Sequence, residues 1–116
     1  MGRRNRRRGR LETPTTDYAD GEGNVLTLRD AMSPATRREY DAVLHGNQLS
    51  QEDAWQRAVE FLFERLAVQW TIAGVPTTRQ KELVGRFRMT SGAEREWIRG
   101  VLREHVTEHF PELAAP

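Results

Sequence analysis

The sequence contains no cysteine, which excludes disulfide staples, thiolate metal centres, cysteine nucleophiles and thiol redox chemistry together. It also lacks a long apolar run. Its most hydrophobic stretch, residues 61–73, is interrupted by Glu64, Arg65 and Gln69, well short of the ~20 apolar residues that a membrane helix requires. No segment has the apolar core of a secretory signal, so a cytoplasmic protein without a membrane partner is expected. Lysine is nearly missing: Lys81 stands alone and follows no glycine-rich run, so no phosphate-binding loop is present. Neither a G-x-S-x-G elbow nor a dinucleotide-type glycine pattern between a strand and a helix occurs. The expectation is a chain that is not an enzyme and needs no cofactor.

What the sequence does have is charge, and it is unevenly placed. Eighteen basic residues face seventeen acidic ones over 116 positions. Six of the basic residues, Arg3, Arg4, Arg6, Arg7, Arg8 and Arg10, fall in the first ten positions, where there is no acid. The arm therefore carries +6 and the remainder −5. Like charges without apolar residues have nothing to bury, which predicts a disordered arm and connector over residues 1–16. Such an arm suits non-specific contact with nucleic-acid phosphate or with an acidic protein surface. No aromatic side chain interleaves the arginines, so base stacking is not expected.

The folded region is expected over residues 17–113. Turn formers from Asp20 to Asn24 separate Tyr18 from the alternating Val25-Leu26-Thr27-Leu28 run, which predicts a short β-hairpin or a single strand. The Asp20, Glu22, Asn24 spacing resembles the start of a calcium loop, but Val25 stands where glycine is needed and Ala31 where the bidentate glutamate is needed. Four helices are predicted next. Ser33-Pro34 caps the first, which runs to Leu44 or His45. Ser50 caps a long second helix of about 23 residues reaching Ala73. Thr77 to Gln80 opens the third, from Thr78 to about Met89, and Ser91 to Glu94 opens the fourth, from Ala93 to about His109. Trp55, Trp70 and Trp97 fall on the inward stripes of these helices. The fold class expected is mainly α, a small four-helix bundle-like domain preceded by a hairpin or strand.

One constellation resembles a metal motif. His105-Val106-Thr107-Glu108-His109 has the H-x-x-E-H order, with two imidazoles one helical turn apart. Only seven residues follow His109, too few for a downstream carboxylate ligand, and His105 lies on the apolar stripe. No zinc site is therefore expected. A helix-turn-helix over the last two helices is possible by spacing, but Glu94 and Glu96 at the start of the second would repel phosphate.

Several runs carry a resemblance. Tyr18-Ala-Asp-Gly-Glu-Gly-Asn24-Val-Leu-Thr-Leu-Arg29, Met32-Ser-Pro-Ala-Thr-Arg-Arg-Glu-Tyr40, Phe61-Leu-Phe-Glu-Arg-Leu-Ala-Val-Gln-Trp70-Thr-Ile-Ala-Gly-Val-Pro76, Glu96-Trp-Ile-Arg99 and Phe110-Pro-Glu-Leu113 resemble small proteins of actinobacterial phages and prophages of the tail-assembly-chaperone type. The resemblance implies a factor that binds the tape-measure protein or another phage structural protein, self-associates and aids tail-tube assembly in the bacterial host cell. The apolar arc of the predicted long helix is wider than one bundle can cover, which nominates Phe61, Phe63, Trp70 and Ile72 as partner contacts; the alternative is that all four belong to the monomer's own core. The competing expectations are a nucleic-acid-associated protein using the arginine arm, and a virion component such as a head-tail connector.

Overall fold

The computed structural model describes residues 13–46 and 50–116; the arginine arm lies outside the described residues. Among the described residues eight elements follow one another. Strands β1 (Thr15–Ala19) and β2 (Val25–Arg29) lead to helices α1 (Pro34–His45) and α2 (Gln51–Leu66). Strands β3 (Ala67–Ile72) and β4 (Val75–Thr77) then precede α3 (Gln80–Arg88) and α4 (Gly92–His109). The four strands form one antiparallel sheet in the order β1-β2-β3-β4. Helices hold 54% of the described residues and the sheet 19%, so the domain is α+β and the expected mainly-α bundle is incorrect.

The correction lies in residues 67–77. The second helix ends at Leu66 rather than Ala73, because Ala67 adopts an extended conformation and the chain continues as β3. Val68, Thr71 and Ile72 are β-branched and Trp70 is aromatic, which suits a pleated surface. The stronger reason is tertiary. A hairpin of β1 and β2 alone is at best marginal, and the open edge of β2 gains a partner when β3 pairs with it, Leu26 opposite Trp70 and Val25 opposite Thr71. An irregularity between Thr27 and Leu28 shifts the register where β3 leaves the helix. Ala73 and Gly74 both take positive φ, 52° and 80°, the combination that a two-residue hairpin turn demands. The β4 strand takes in Thr77, so the cap predicted there does not form, and α3 begins two residues later without a side-chain cap.

Other punctuation is as the sequence indicates. The Ser33, Ser50 and Ser91 side chains accept from backbone N–H groups at the starts of α1, α2 and α4, and Ser91 with Glu94 completes a reciprocal capping box.

One face of the sheet packs on the helices. Leu26, Leu28 and Trp70 meet Leu62, Phe63 and Leu66 of α2, Leu83 and Phe87 of α3, and Ile98, Leu102 and Val106 of α4 in a single core. Phe63 links the layers, stacking on Phe87 at 4.8 Å and meeting Trp70 edge-on at 5.6 Å. Trp70 is buried, whereas Trp55 and Trp97 are only half-buried at the margin of this core.

Candidate functional site

Among the described residues the single buried polar side chain outside the aromatic core is His105, fully inaccessible to solvent. Its position follows from helix periodicity: Ile98, Val101, Leu102, His105 and Val106 form the inward stripe of α4. The first hairpin covers that stripe and brings polar groups to the ring. Tyr18 Oη lies 2.8 Å from His105 Nδ1, and the Arg29 carbonyl lies 2.7 Å from Nε2. A carbonyl only accepts, so Nε2 carries the proton, and Nδ1 of the neutral ring accepts from the Tyr18 hydroxyl. Burial holds the His105 pKa below the usual imidazole value, opposed by the Arg29 carbonyl and by Asp30. Burial likewise pushes Tyr18 up to about 12, assisted by the negative charges of Glu104, Glu108 and Asp30.

His109 lies one turn further along α4, its ring 4.5 Å from that of His105. Asp30, at the end of β2, faces both: its Oδ1 is 3.7 Å from His105 Nε2 and 3.6 Å from His109 Nε2. Two bonds fix this aspartate. Thr16 Oγ1 donates to Oδ1 at 2.7 Å, and the Asp30 backbone N–H donates to the Pro14 carbonyl at 2.8 Å. The ligand atoms of Asp30, His105 and His109 all lie within 4.8 Å of one another. A carboxylate, two imidazoles, a phenol and a threonine hydroxyl thus converge between β1, β2 and the end of α4. This chemistry can hold a proton or a cation.

The sequence motif supplied only part of this group. Glu108, the acid within H-x-x-E-H, is exposed, and the carboxylate beside the histidines is Asp30, far upstream. Thr16 and Tyr18 share the inward face of β1, an alternation legible in the sequence. Nothing in the sequence pairs Asp30 with α4.

The four nominated contact residues do not form one surface. Phe63 and Trp70 are buried in the core, touching each other. Phe61 is half-buried between α2 and α1, near Tyr40, with the Arg65 guanidinium 4.7 Å from its ring centre. Ile72 is half-buried at the end of β3. Beside it the β3-β4 turn projects, with Ala73, Gly74, Val75 and Pro76 all exposed. Val75, 63% exposed, and Met89, 85% exposed, are the large apolar side chains left in solvent among the described residues. A groove of about 470 Å³ between α2 and α4 is lined mostly by charged residues, together with Val59 and Phe87, and the Arg99–Glu52 ion pair at 2.9 Å lies along it.

No helix among the described residues is long and apolar enough to cross a membrane. Comparison of the chain with protein-family models, curated proteins and solved structures finds no match.

Proposed function

We propose that this chain is a non-enzymatic assembly factor of the phage tail-chaperone type, acting in the host cytoplasm by holding a helical client such as the tape-measure protein. The observation that carries this reading is the β3-β4 turn, which lies inside the longest run of the phage resemblance. Ile72 to Pro76 are five consecutive apolar residues, four of them exposed. Ala73 is held at φ 52°, a conformation that a non-glycine residue adopts at a cost of about 1–2 kcal/mol. Pro76 has no N–H, which makes β4 a poor edge for strand addition. A partner therefore docks through side chains, as an amphipathic helix does. Phe63 and Trp70 leave the contact set because the core uses them, and Val75 takes their place beside Ile72.

Co-expression with a tape-measure protein from such a phage tests the proposal. A co-purifying complex that Val75→Asp abolishes, with the variant's thermal melt unchanged, is the expected result. Absence of a complex with the native chain, or a complex indifferent to Val75→Asp, overturns it. The nucleic-acid reading rests on the six arginines of the arm. It predicts salt-sensitive DNA binding that is lost when the chain begins at Leu11.

A further inference from the structure

We propose that Asp30, His105 and His109 form a divalent-metal site, suited to zinc, that clamps the first hairpin to the end of α4. Such a site needs no client. Two imidazoles and one carboxylate are borderline ligands of the kind zinc takes. Zinc bonds of 2.0–2.1 Å in a tetrahedron place ligand atoms about 3.4 Å apart; the Asp30 oxygen already stands 3.6 and 3.7 Å from the two imidazole nitrogens. Contraction by a few tenths of an ångström suffices on those two edges. The surrounding shell has the form that metal-bound histidine and carboxylate usually show: Tyr18 engages the second nitrogen of His105, and Thr16 donates to Asp30. A route for the ion exists, since the side chains of His109 and Asp30 keep 21% and 19% exposure while that of His105 keeps none.

Loading requires the hydrogen bonds around His105 to rearrange. Nε2 of His105 donates to the Arg29 carbonyl in the metal-free form, so its lone pair becomes available only when the ring proton moves to Nδ1. Nδ1–H then donates to Tyr18 Oη, and the half-exposed tyrosine turns its own hydroxyl proton to water. No net proton leaves the ring. The Arg29 carbonyl, 2.7 Å from Nε2, loses that donor and must turn aside. Breaking that buried bond makes the site weaker than a preformed structural zinc centre. The bound ion joins residues 30, 105 and 109, which explains why it should raise stability as well as bind.

The experiment uses the full chain without an affinity tag. Zinc is titrated calorimetrically, and cobalt is added as a spectroscopic probe of nitrogen and oxygen coordination. One equivalent of zinc, an intense visible cobalt band and a metal-dependent rise in melting temperature are expected. Asp30→Asn and His109→Ala should each weaken zinc by at least tenfold. His45→Ala should change nothing, although exposed His45 beside Asp41, at 3.3 Å, is the obvious place for adventitious binding. The proposal is overturned if the native protein gives no one-equivalent binding and no intense cobalt band. Affinity retained in His109→Ala but lost in His45→Ala overturns it too. The cobalt spectrum of the native chain decides the matter even if a variant fails to fold.

Discussion

Replacing Tyr18 by phenylalanine deletes one oxygen at a place where the structure leaves no substitute. The ring of the variant keeps its edge-on contact with His105, centroids 5.6 Å apart, so no cavity opens and packing is nearly conserved. What disappears is the donor to Nδ1. Because Nε2–H is held by the Arg29 carbonyl, the ring cannot satisfy Nδ1 by exchanging tautomers without orphaning that carbonyl instead. A buried acceptor left without its donor costs about 1–3 kcal/mol, and His105 is fully buried. Metal-free urea unfolding measures the effect. With a slope of about 1–3 kcal/mol per molar, the midpoint should fall by roughly 1 M at unchanged slope. Nitrogen NMR of His105 provides the companion observation, a protonated Nε2 and a bare Nδ1 in the native chain. A loss of stability below about 0.5 kcal/mol, or a protonated Nδ1, would show that the hydrogen-bond assignment is wrong.

Three further outcomes follow from single features. Ala73→Gly should stabilise the fold by up to about 1 kcal/mol by relieving the left-handed conformation at φ 52°, while Gly74→Ala, at φ 80°, should destabilise it by a similar amount; thermal melts compare the pair. Ser91→Ala removes the Oγ acceptor of the Glu94 N–H at 3.2 Å and breaks the reciprocal box, which should cost about 1 kcal/mol, read by chemical denaturation. Burial raises Tyr40 from 10.0 to about 12, with Asp41 adding to the shift. A native pKa above the unfolded one means that the contribution is complete below pH 10 and is lost as pH rises towards 12, on the order of 3 kcal/mol in all. Phenolate absorbance of the folded protein should therefore show no Tyr40 step near pH 10, and stability should fall through that window.

The fold was legible where local chemistry decides it. Ser33-Pro34, Ser50 and Ser91 set helix starts through bonds between neighbouring residues, and the turn residues from Asp20 to Asn24 set the first hairpin. The residues from Ala67 to Ile72 were not legible in this way. Their apolar positions continue the stripe of α2 with a helical period, since Leu62, Leu66 and Trp70 are spaced by four. The same Trp70 serves equally as an inward strand residue opposite Leu26. Choosing between the two requires knowing that the edge of β2 is open, which is a fact about residues roughly forty positions away. Ala73-Gly74 was the available local signal. Read as a helix end followed by Pro76, it gives a bundle; read as a positive-φ pair between β-branched residues, it gives a hairpin.

The polar cluster shows the same division at the level of chemistry. His105 and His109 were visible as a pair because a helical turn brings them together whatever the rest of the chain does. The inward placement of His105 followed from the stripe as well. The acid inside the motif, Glu108, is exposed, and no carboxylate downstream of His109 takes its place. Asp30 enters only because β2 ends where it does. The strand carries Leu26 and Leu28 inward and so delivers the next alternate residue, Asp30, to the same face as it reaches the end of α4. Hydrophobic alternation thus positions the carboxylate, although nothing polar in the local sequence marks it. The aspartate that meets the histidines is set by the burial of two leucines, so a one-residue slip in the register of β2 would turn Asp30 to solvent and dismantle the cluster without changing any of its members. Deleting Thr27 should accordingly remove metal binding even in chains that retain helical circular dichroism, whereas the conservative exchange Leu28→Met should leave it in place.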